Sequence, residues 1–504
     1  MSNHLFDAIK AAARPSSPFI LINGGRIWTY DDAIALSGQI AGAIAKLGIQ
    51  PGDRIAVQIE KSPEALILYL ACLRAGAVYL PLNTAYTLAE LDYFIGDAEP
   101  KLVVVSSSAL DPIRKVAAPY GAHVETLNAD GSGSLIDLAR IEPADFANVA
   151  RAPDDLAAIL YTSGTTGRSK GAMLTHDNLL SNALTLRDFW RVTSDDRLIH
   201  ALPIFHTHGL FVATNVTLLS GASMILLPKF DPEEVLSLMP NATLLMGVPT
   251  FYVRLLQSQK LDREITANIR LFISGSAPLL AETHVEFGKR TGKAILERYG
   301  MTETNMNTSN PYDGDRVPGT VGLPLPGVTV RITDPASGAI LPTGETGSIE
   351  IKGPNVFKGY WRMPEKTAAE FTADGFFISG DLGKIDENGY VHIVGRGKDL
   401  VISGGYNIYP KEVESEIDQL EGVVESAVIG VPHPDFGEGV TAIVICKPGV
   451  SLDEKAILTA LQDRLARYKQ PKRIIFLEDL PRNTMGKVQK NVLRQQYADL
   501  YAAA

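Results

Sequence analysis

The chain has 504 residues, of which 45% are hydrophobic and 21% are charged, and its formal net charge is −10. A chain of this length exceeds one ordinary hydrophobic core, so two or more domains are expected. The acidic balance argues against nonspecific binding of nucleic acid, and the longest apolar run, Ala65 to Leu73, is far shorter than the ~20 residues of a membrane-spanning helix. We therefore expect no nucleic-acid partner and no membrane insertion.

Two features predict a cytoplasmic location. The N-terminal residues MSNHLFDAIK lack a basic run followed by an apolar block, which a secretory signal would require. Cys72 and Cys446 lie far apart in apolar contexts, which is typical of reduced thiols.

Apolar strand-like runs alternate with helical patterns through about the first 330 residues. This alternation predicts parallel sheets covered by helices, with functional sites at the carboxyl ends of the strands. The predicted strands are Arg54 to Gln58, Val78 to Leu80, Lys101 to Val105, Leu156 to Tyr161, Leu198 to Leu202, Met224 to Leu227 and Leu271 to Ser274, and the predicted helices between them include Pro63 to Ala75 and Leu88 to Ala98.

The pattern changes twice towards the C-terminus. From about Gly327, short strands separated by Gly, Pro and Asp turns predict a small antiparallel β unit. After Gly395, the segment GRGKDLVISGGYNIYP leads into a mixed α+β tail. We therefore predict an α/β protein with a large N-terminal domain, residues 1–397, and a smaller, mobile C-terminal domain, residues 398–504.

The segment YTSGTTGRSKG, Tyr161 to Gly171, is rich in small residues, hydroxyls and cations, a composition typical of an anion-binding loop. Because an apolar run precedes it and Thr175, Asp177 and Asn178 can cap a helix after it, we predict a strand, a phosphate loop and a helix. The P-loop of kinases and GTPases is excluded, because Ser169 stands where its second glycine is required and Gly171 where its metal-binding hydroxyl is required. A flexible Ser/Gly surface loop is the alternative.

Four further segments share this polar, glycine-containing character: ISGSAP (Ile273 to Pro278), RYGMTE (Arg298 to Glu303), SGDLG (Ser379 to Gly383) and PRNTMGK (Pro481 to Lys487). Taken singly, each could be an ordinary turn. Their combination and order resemble the acyl-adenylate-forming (AMP-binding) superfamily of acyl-CoA synthetases, peptide-synthetase adenylation domains and luciferases, over nearly the whole chain.

This resemblance implies a two-step reaction. A carboxylate attacks the α-phosphate of ATP to give an acyl-AMP and pyrophosphate, and the thiol of coenzyme A then displaces AMP. The residues that match the superfamily's ATP-binding positions are Thr162, Ser163, Gly164, Thr165, Thr166, Gly167, Lys170, Gly275, Ser276, Ala277, Pro278, Glu297, Arg298, Tyr299, Gly300, Met301, Thr302, Asp381 and Arg396.

The resemblance also implies individual roles within this set. Thr165, Thr166 and Lys170 would hold the β- and γ-phosphates. Thr302 would contact the α-phosphate, and Glu303 would bind Mg²⁺, a hard cation that prefers oxygen ligands. Tyr299 would stack on the adenine beside Gly275 to Pro278, and Asp381 would accept hydrogen bonds from the ribose hydroxyls, assisted by Arg396.

Residues of the C-terminal segment match three further functions of the superfamily. Lys487 matches the lysine that catalyses adenylation, and a protein lysine acetyltransferase is a possible partner that would remove its charge. Lys398 or Asp399 matches the hinge about which the C-terminal domain rotates between the two half-reactions, although a rigid linker is the alternative. Gly404, Gly405 and Tyr406 would line the tunnel for the pantetheine of coenzyme A.

The acid substrate is predicted from the residue before Tyr299. Relatives that accept aromatic or fatty acids commonly have glycine there, whereas this chain has Arg298, which suits a second carboxylate on the substrate. A structural ion pair between Arg298 and Glu297 is the alternative, and Arg254 is a second candidate for that carboxylate.

The strings ILERYGMTE, IFHTHGLF and NMNTSNPY look most like malonyl-CoA and methylmalonyl-CoA synthetases. His206, Thr207, Ser276 and Met306 would line the acyl pocket with Arg298, and Thr207 and Met306 would determine whether a methyl group fits. A zinc site at His206 and His208 would need a third ligand. Ligation of another short carboxylic acid, loading of a carrier-protein thiol, and a nucleotide-binding regulator without catalysis are the alternative functions.

Overall fold

The structure, a computed structural model, describes residues 2–162, 169–403, 406–450, 452–462, 464–483 and 486–502. Within these ranges the strands form four sheets. The strands, in chain order, are β1 (Pro18–Leu21), β2 (Ile27–Thr29), β3 (Arg54–Gln58), β4 (Val78–Pro81), β5 (Leu102–Val105), β6 (His123–Thr126), β7 (Leu156–Thr162), β8 (Lys170–Thr175), β9 (Arg197–His200), β10 (Ser223–Leu226), β11 (Leu244–Gly247), β12 (Leu271–Ser274), β13 (Ile295–Met301), β14 (Asn305–Ser309), β15 (Leu323–Pro324), β16 (Thr329–Thr333), β17 (Gly347–Lys352), β18 (Phe377–Ile385), β19 (Val391–Arg396), β20 (Val401–Ser403), β21 (Tyr406–Ile408), β22 (Val423–His433), β23 (Gly437–Cys446) and β24 (Arg473–Phe476).

Helices cover these sheets. In chain order they are α1 (His4–Ala12), α2 (Tyr30–Lys46), α3 (Pro63–Ala75), α4 (Leu88–Ala98), α5 (Leu110–Ala117), α6 (Ser134–Arg140), α7 (His176–Phe189), α8 (Asn215–Ser220), α9 (Pro232–Leu238), α10 (Pro249–Gln257), α11 (Ala281–Thr291), α12 (Pro364–Ala369), α13 (Pro410–Asp418), α14 (Glu454–Leu461) and α15 (Lys490–Gln496). No helix of the described ranges is both long and apolar enough to cross a bilayer.

Two large, mostly parallel sheets form the N-terminal part of the fold. One has the strand order β6-β5-β3-β4-β7-β8, and the other has the order β15-β14-β13-β12-β11-β9-β10-β1-β2. Residues of α3, β3 and β9 belong to one hydrophobic cluster, so the two sheets share a continuous core. The prediction of parallel α/β subdomains is confirmed.

The remaining two sheets are smaller. Strands β16 to β19 form an antiparallel sheet that begins at Thr329, which confirms the predicted β unit after Gly327. The C-terminal sheet has the order β21-β20-β23-β22, with β24 added parallel to β23, and its apolar faces pack against α13, α14 and α15 in separate hydrophobic clusters. A separate α+β C-terminal unit is therefore confirmed.

The predicted helices Pro63–Ala75 and Leu88–Ala98 have the bounds expected from the sequence. Local signals explain this agreement. The side chain of Ser62 caps the first helix, and Gly76, with φ +70°, ends it in the left-handed conformation that glycine adopts without strain.

The predicted strand before the phosphate loop and the predicted helix after it are both present, but a strand that was not predicted, β8, lies between the loop and the helix. After the loop, β8 pairs antiparallel with β7, with Thr162 opposite Lys170 and Leu160 opposite Ala172. The loop is therefore the connection of a β-hairpin. Helix α7 starts only at His176, where Thr175 and Asn178 form the capping box that their sequence positions predict.

Candidate active site

The carboxyl ends of neighbouring parallel strands position the candidate site. Gly247 at the end of β11 lies opposite Ser274 at the end of β12, and Ser274 lies opposite Glu297 in β13. The turn of residues 275–278 follows β12, and Arg298 follows Glu297 in β13. Because parallel strands point the same way, these segments meet at one edge of the sheet.

Arg298 has a buried guanidinium group without a full set of partners. The residue is 2% exposed, and its Nε and Nη2 atoms have no hydrogen-bond partner among the described residues. A Cβ atom at Gly275 would lie 2.5 Å from Arg298 Cζ, so the absence of a side chain at Gly275 makes room for the guanidinium. Burial lowers the pKa of Arg298 from its ordinary value. An arginine nevertheless stays protonated in proteins, so a buried cation here requires an anion.

Glu297 does not supply that anion through an ion pair. Its Oε1 atom accepts a hydrogen bond from the backbone N–H of Leu279 at 3.1 Å, and its Oε2 atom has no partner among the described residues. Burial raises the pKa of Glu297 to about 8, which keeps its carboxyl group protonated at neutral pH. The alternative of a Glu297–Arg298 ion pair is not supported, because adjacent residues of a strand point to opposite faces. Glu297 instead anchors the turn after β12.

The segment from His206 to Leu210 forms one wall beside Arg298. His208 Nδ1 lies 3.2 Å from Ser276 Oγ, and Ser276 adopts a φ of +73°, a conformation that is uncommon for residues other than glycine. Thr207 Oγ1 and His206 Nε2 are buried without partners among the described residues. Burial lowers the pKa of His206 and His208, so both rings are neutral. The wall therefore offers neutral polar groups next to one cation.

Met306 on β14 lies opposite Gly300 of β13 in the antiparallel pair. Met306 is buried, and a Cβ atom at Gly300 would lie 2.5 Å from its Cε atom and 1.9 Å from the carbonyl oxygen of Asn305. Gly300 therefore permits close packing of the β13–β14 hairpin. Arg254, the second candidate for a carboxylate ligand, lies exposed on α10.

Lys61, which lies between β3 and α3, contacts the segment that leads into the pocket wall. Lys61 Nζ donates to the carbonyl oxygens of His200 and Leu202 at 2.7 and 2.8 Å and lies 2.8 Å from His200 Nδ1. His200 Nε2 lies 2.9 Å from the carbonyl oxygen of Gly209, inside the π-helical turn His208–Thr214. Because Nδ1 accepts from lysine, Nε2 carries the proton and donates to Gly209. No local sequence pattern predicts this arrangement, since its members lie on separate elements.

Asp381 and its partners form the candidate ribose site. Tyr299 donates its hydroxyl hydrogen to Asp381 Oδ2 at 2.6 Å, and Arg396 Nε lies 3.1 Å from Asp381 Oδ1. Burial, followed by the charge of Asp381, raises the pKa of Tyr299 well above its ordinary value, so Tyr299 remains a donor. The structure thus brings together three residues that the sequence assigns to nucleotide binding. The hydroxyl contact of Tyr299 was not predicted.

Thr302 and Glu303 lie in the turn between β13 and β14. Thr302 is half-buried, and Glu303 is 6% exposed. Glu303 Oε1 lies 3.0 Å from the Tyr360 hydroxyl and 3.4 Å from Thr162 Oγ1 at the end of β7. The end of β7, which leads into the predicted phosphate loop, therefore contacts the turn that contains Glu303. Burial raises the pKa of Glu303, so a cation nearby would favour its ionised form.

The residues at this position fit a magnesium ion bound together with nucleotide phosphates. Mg²⁺ is commonly held by one or two carboxylates, with phosphate oxygens and water completing its coordination. Glu303 offers one buried carboxylate, and among the described residues no group of three or more His, Cys, Asp or Glu side chains converges on a metal position. The described residues therefore do not form a metal site made of protein ligands alone.

Lys170, the first residue of β8, is buried and contacts a carboxylate. Its Nζ atom lies 3.0 Å from Glu370 Oε1 and 4.0 Å from the centroid of the Tyr360 ring. The Tyr360 hydroxyl donates to Glu370 Oε2 at 2.6 Å. Tyr360 thus touches both Glu303 and Glu370. Neither Tyr360 nor Glu370 was predicted, because they lie far from the phosphate loop in the sequence.

The predicted residues of the phosphate loop, Ser163, Gly164, Thr165, Thr166 and Gly167, lie outside the described residues. The same is true of Gly404 and Gly405 in the predicted coenzyme A loop. Tyr406, the third residue predicted to bind coenzyme A, is 56% exposed, and its ring stacks on Tyr468 with 4.6 Å between the centroids.

Lys487 lies within the electrostatic influence of Arg396 and Asp381, two residues predicted to bind the nucleotide. The turn that contains it is closed by a backbone hydrogen bond from Asn483 to Lys487, and Gly486, with φ +72°, lies close to Thr250. Burial, followed by the charge of Arg396, lowers the pKa of Lys487 to about 8, and the charge of Asp381 opposes this shift. The structure therefore brings Lys487 to the candidate ribose site.

The predicted hinge residues follow β19 directly. Lys398 and Asp399 lie in the 3₁₀ turn Gly397–Asp399. Asp399 Oδ1 forms an ion pair with Arg494 Nη2 of α15 at 2.6 Å. The hinge role remains a prediction.

Comparison with known proteins agrees with this site. Residues 8–361 match the family described as AMP-binding enzyme, and residues 412–487 match the AMP-binding enzyme C-terminal domain. The chain belongs to the AMP-binding enzyme family. The first match alone spans more than half of the chain, and the resemblance to the AMP-binding superfamily is confirmed.

Individual relatives of this AMP-binding enzyme include CoA ligases. The crystal structure of ATP-bound MatB from Rhodopseudomonas palustris is 65% identical, with a TM-score of 0.97 over 99% of this chain and 100% of that chain. A feruloyl-CoA synthase from an Amycolatopsis species is 37% identical over 94% of this chain and 95% of its own length. A malonate–CoA ligase from Arabidopsis thaliana is 35% identical over 89% and 78%, respectively. The protein is an adenylate-forming CoA ligase, an acid–thiol ligase that uses ATP and CoA.

Proposed function

We propose that this CoA ligase activates malonate, methylmalonate or both as the acyl-AMP and transfers the acyl group to coenzyme A, with release of AMP and pyrophosphate. The buried guanidinium of Arg298 carries this proposal. Its Nε and Nη2 atoms lack partners among the described residues, and a second carboxylate on the substrate would satisfy them. The 65% identity to MatB and the similarity to a malonate–CoA ligase support the same substrate class.

In the proposed first half-reaction, one carboxylate of the substrate attacks the α-phosphorus of ATP through an oxygen atom. The bond between the α-phosphorus and the oxygen that bridges to the β-phosphate breaks, and pyrophosphate leaves. Arg298 binds the other carboxylate and orients the substrate. Lys487 and Thr302 stabilise the charge that develops on the α-phosphate. Lys170 contacts the β- and γ-phosphates. Glu303 would hold Mg²⁺, which supplies charge neutralisation between the phosphates when bound.

The nucleoside occupies the other half of the site. Asp381 accepts hydrogen bonds from the ribose hydroxyls, and Arg396 holds its carboxylate in place. Tyr299 packs against the adenine beside residues 275–278. This assignment uses the buried carboxylate of Asp381, whose contacts with Tyr299 and Arg396 already fix its position.

In the proposed second half-reaction, the sulfur of coenzyme A attacks the carbonyl carbon of the acyl-AMP, and AMP leaves. The thiol must reach the same carbonyl that Lys487 would approach during adenylation. We therefore propose that residues 398–504 act as a mobile domain and rotate about Lys398 or Asp399 after the first step. Tyr406 would then line the pantetheine tunnel.

A carboxylic-acid screen tests the proposed function. AMP formation that depends on both ATP and CoA is measured with malonate, methylmalonate, acetate and a longer fatty acid side by side. Malonate or methylmalonate should give the highest kcat/KM. Equal or better use of acetate or the fatty acid would exclude the dicarboxylate assignment, and product formation only with a carrier protein in place of free CoA would indicate a carrier-loading enzyme.

Thr207 and Met306 are proposed to set the choice between malonate and methylmalonate. Both are buried, and Met306 packs against the backbone at Gly300. A smaller side chain at either position should favour the larger acid. We also propose a cytoplasmic location and Lys487 as a target of a protein lysine acetyltransferase, because loss of its charge would remove a catalytic cation.

A further inference from the structure

Glu370 is a carboxylate that the proposed reaction does not use, yet it contacts the lysine expected to bind the phosphates of ATP. Lys170 and Lys366 both approach its Oε1 atom, at 3.0 and 2.9 Å. Tyr360 donates to its Oε2 atom at 2.6 Å. Burial opposes ionisation of Glu370, but the hydrogen bonds from Tyr360, Lys366 and Lys170 outweigh it and lower the pKa of this carboxyl group. Glu370 is therefore an anion in this arrangement.

The position of Glu370 is fixed independently of Lys170. Its backbone N–H ends α12 with a hydrogen bond to the carbonyl oxygen of Thr367, and its own carbonyl oxygen accepts from Ile378. Lys366 precedes it by one helical turn, at the i,i+4 spacing that favours an ion pair. Glu370 would thus keep one cation and one hydrogen-bond donor if Lys170 moved to another partner.

Lys170 lies between two possible anionic partners. Its ammonium group contacts Glu370 and the face of the Tyr360 ring, and the strand that contains it begins directly after the phosphate loop. The side chain of Lys170 is only 10% exposed, so water cannot replace a lost anion effectively. A lysine in this position requires either a protein carboxylate or a bound phosphate.

We propose that Glu370 is an internal counter-ion that competes with pyrophosphate for Lys170. Lys170 contacts the β- and γ-phosphates while ATP is bound, and it returns to Glu370 as pyrophosphate leaves. Glu370 thereby lowers the affinity of the site for pyrophosphate and promotes the release of pyrophosphate before coenzyme A reacts. Lys366 neutralises Glu370 during the interval in which Lys170 is engaged elsewhere. No covalent bond is made or broken in this exchange.

A competing role of Glu370 differs from that of a purely structural ion pair in its effect on the affinity for pyrophosphate. A structural pair would change folding stability alone. A competing carboxylate would change the affinity for pyrophosphate, because the removal of its charge leaves Lys170 free for phosphate. AMP lacks the β- and γ-phosphates, so its affinity provides an internal control.

Glu370→Gln tests the proposal in the full-length enzyme. The inhibition constant of magnesium pyrophosphate is expected to decrease by about 3- to 10-fold, which corresponds to about 1 kcal/mol. Release of pyrophosphate in a single turnover without CoA should slow by a similar factor, while chemical-quench measurements show acyl-AMP formation at the wild-type rate or faster. The Kd of AMP should be unchanged. Unaltered or weaker inhibition by pyrophosphate would overturn the proposal.

Lys366→Met provides a change in the opposite direction. Without Lys366, Glu370 attracts Lys170 more strongly, so inhibition by pyrophosphate should weaken. In a Glu370→Gln background the same substitution should have no effect, because it acts through Glu370. Equal effects of Lys366→Met in both backgrounds would show a direct interaction with pyrophosphate and contradict the proposed exchange.

This inference rests on the proposed contact of Lys170 with the β- and γ-phosphates, and Lys170→Met separates the two. If Lys170→Met leaves inhibition by pyrophosphate unchanged, the proposed contact itself is wrong. If Lys170→Met weakens inhibition but Glu370→Gln does not strengthen it, only the exchange is wrong. Should Glu370→Gln fail to fold, as judged by its melting temperature, Glu370→Asp lengthens the contact while keeping the charge and should strengthen pyrophosphate inhibition to a smaller extent.

Discussion

Gly275 and Arg298 depend on each other sterically: a Cβ atom at position 275 would lie within 2.6 Å of the Cζ, Nε and Nη1 atoms of Arg298. Van der Waals contact requires more than 3 Å, so a side chain at position 275 would displace the guanidinium. The turn after β12 therefore permits a buried cation at the carboxyl end of β13. The proposed substrate class follows from this pair of residues.

Gly275→Ala should disrupt the carboxylate pocket without removing its cation. The added methyl group is expected to displace the guanidinium and lower kcat/KM for malonate by about 10- to 100-fold, since misplacement of a binding group by about 1 Å is sufficient for such a loss. Steady-state kinetics with malonate and acetate would measure it. Gly288→Ala is the matched control, because no atom lies within 4 Å of a Cβ atom at that position. A variant with unchanged malonate kinetics would contradict the packing argument.

Arg298→Gly should remove malonate activity and leave some activity with monocarboxylates. Loss of one partner from a buried charge pair costs about 2–5 kcal/mol, which corresponds to at least a ~30-fold decrease in kcat/KM for malonate. Arg254→Gly serves as the control, since Arg254 is exposed and should leave the kinetics unchanged. If the Arg254 variant rather than the Arg298 variant lost malonate activity, the second carboxylate would bind at Arg254. Wild-type kcat/KM in both variants would exclude the dicarboxylate pocket.

Local patterns explain which parts of the fold could be predicted from the sequence. The bounds of Pro63–Ala75 and Leu88–Ala98 follow from capping residues and a glycine or αL residue within the same few positions. The β-hairpin of β7 and β8 was not predicted, because no residue pattern in the two strands shows that they pair with each other. The short continuous apolar run from Ala172 to Leu174 was the available signal.

Contacts between distant segments could not be predicted. Lys170 and Glu370 are separated by 200 residues, and Tyr299 and Asp381 by 82 residues. Their pairing depends on how the sheets pack, which no local periodicity encodes. Resemblance to a family predicted functional roles for Asp381 and Lys170, but it did not indicate that other protein side chains contact both of them.

Lys487→Ala should abolish formation of acyl-AMP. Removal of a cation from a charge-stabilising site lowers kcat by about 10²- to 10³-fold. ATP–pyrophosphate exchange would measure this half-reaction, and transfer from supplied malonyl-AMP to CoA would measure the other. Transfer should be retained, because it requires the C-terminal segment to present other residues. Normal exchange by the variant would show that Lys487 is not the adenylation lysine.

The pH dependence of adenylation should report the pKa of Lys487. Burial and Arg396 place this pKa at about 8, so the side chain is cationic below that pH and loses its charge as the pH rises through it. Because the cation is the active form, kcat/KM for acyl-AMP formation should decline above about pH 8 rather than above the ordinary range of lysine. Lys487→Arg, which stays charged, should lack this decline at whatever rate it retains. A wild-type profile that is flat up to pH 10 would contradict the assignment.

Lys398→Pro should damage the second half-reaction more than the first. Proline fixes φ at about −65°, so a residue whose backbone must rotate between the two half-reactions loses that freedom. In this structure the charges of Asp381 and Arg396 already act on Lys487, so we expect adenylation to need no rotation. ATP–pyrophosphate exchange should remain within about threefold of the wild type, while thioester formation should fall by about tenfold or more. Lys398→Ala removes the same side chain without fixing φ and separates the loss of charge from the loss of rotation. Equal loss of both half-reactions in the proline variant would mean that Lys398 lies in a rigid linker.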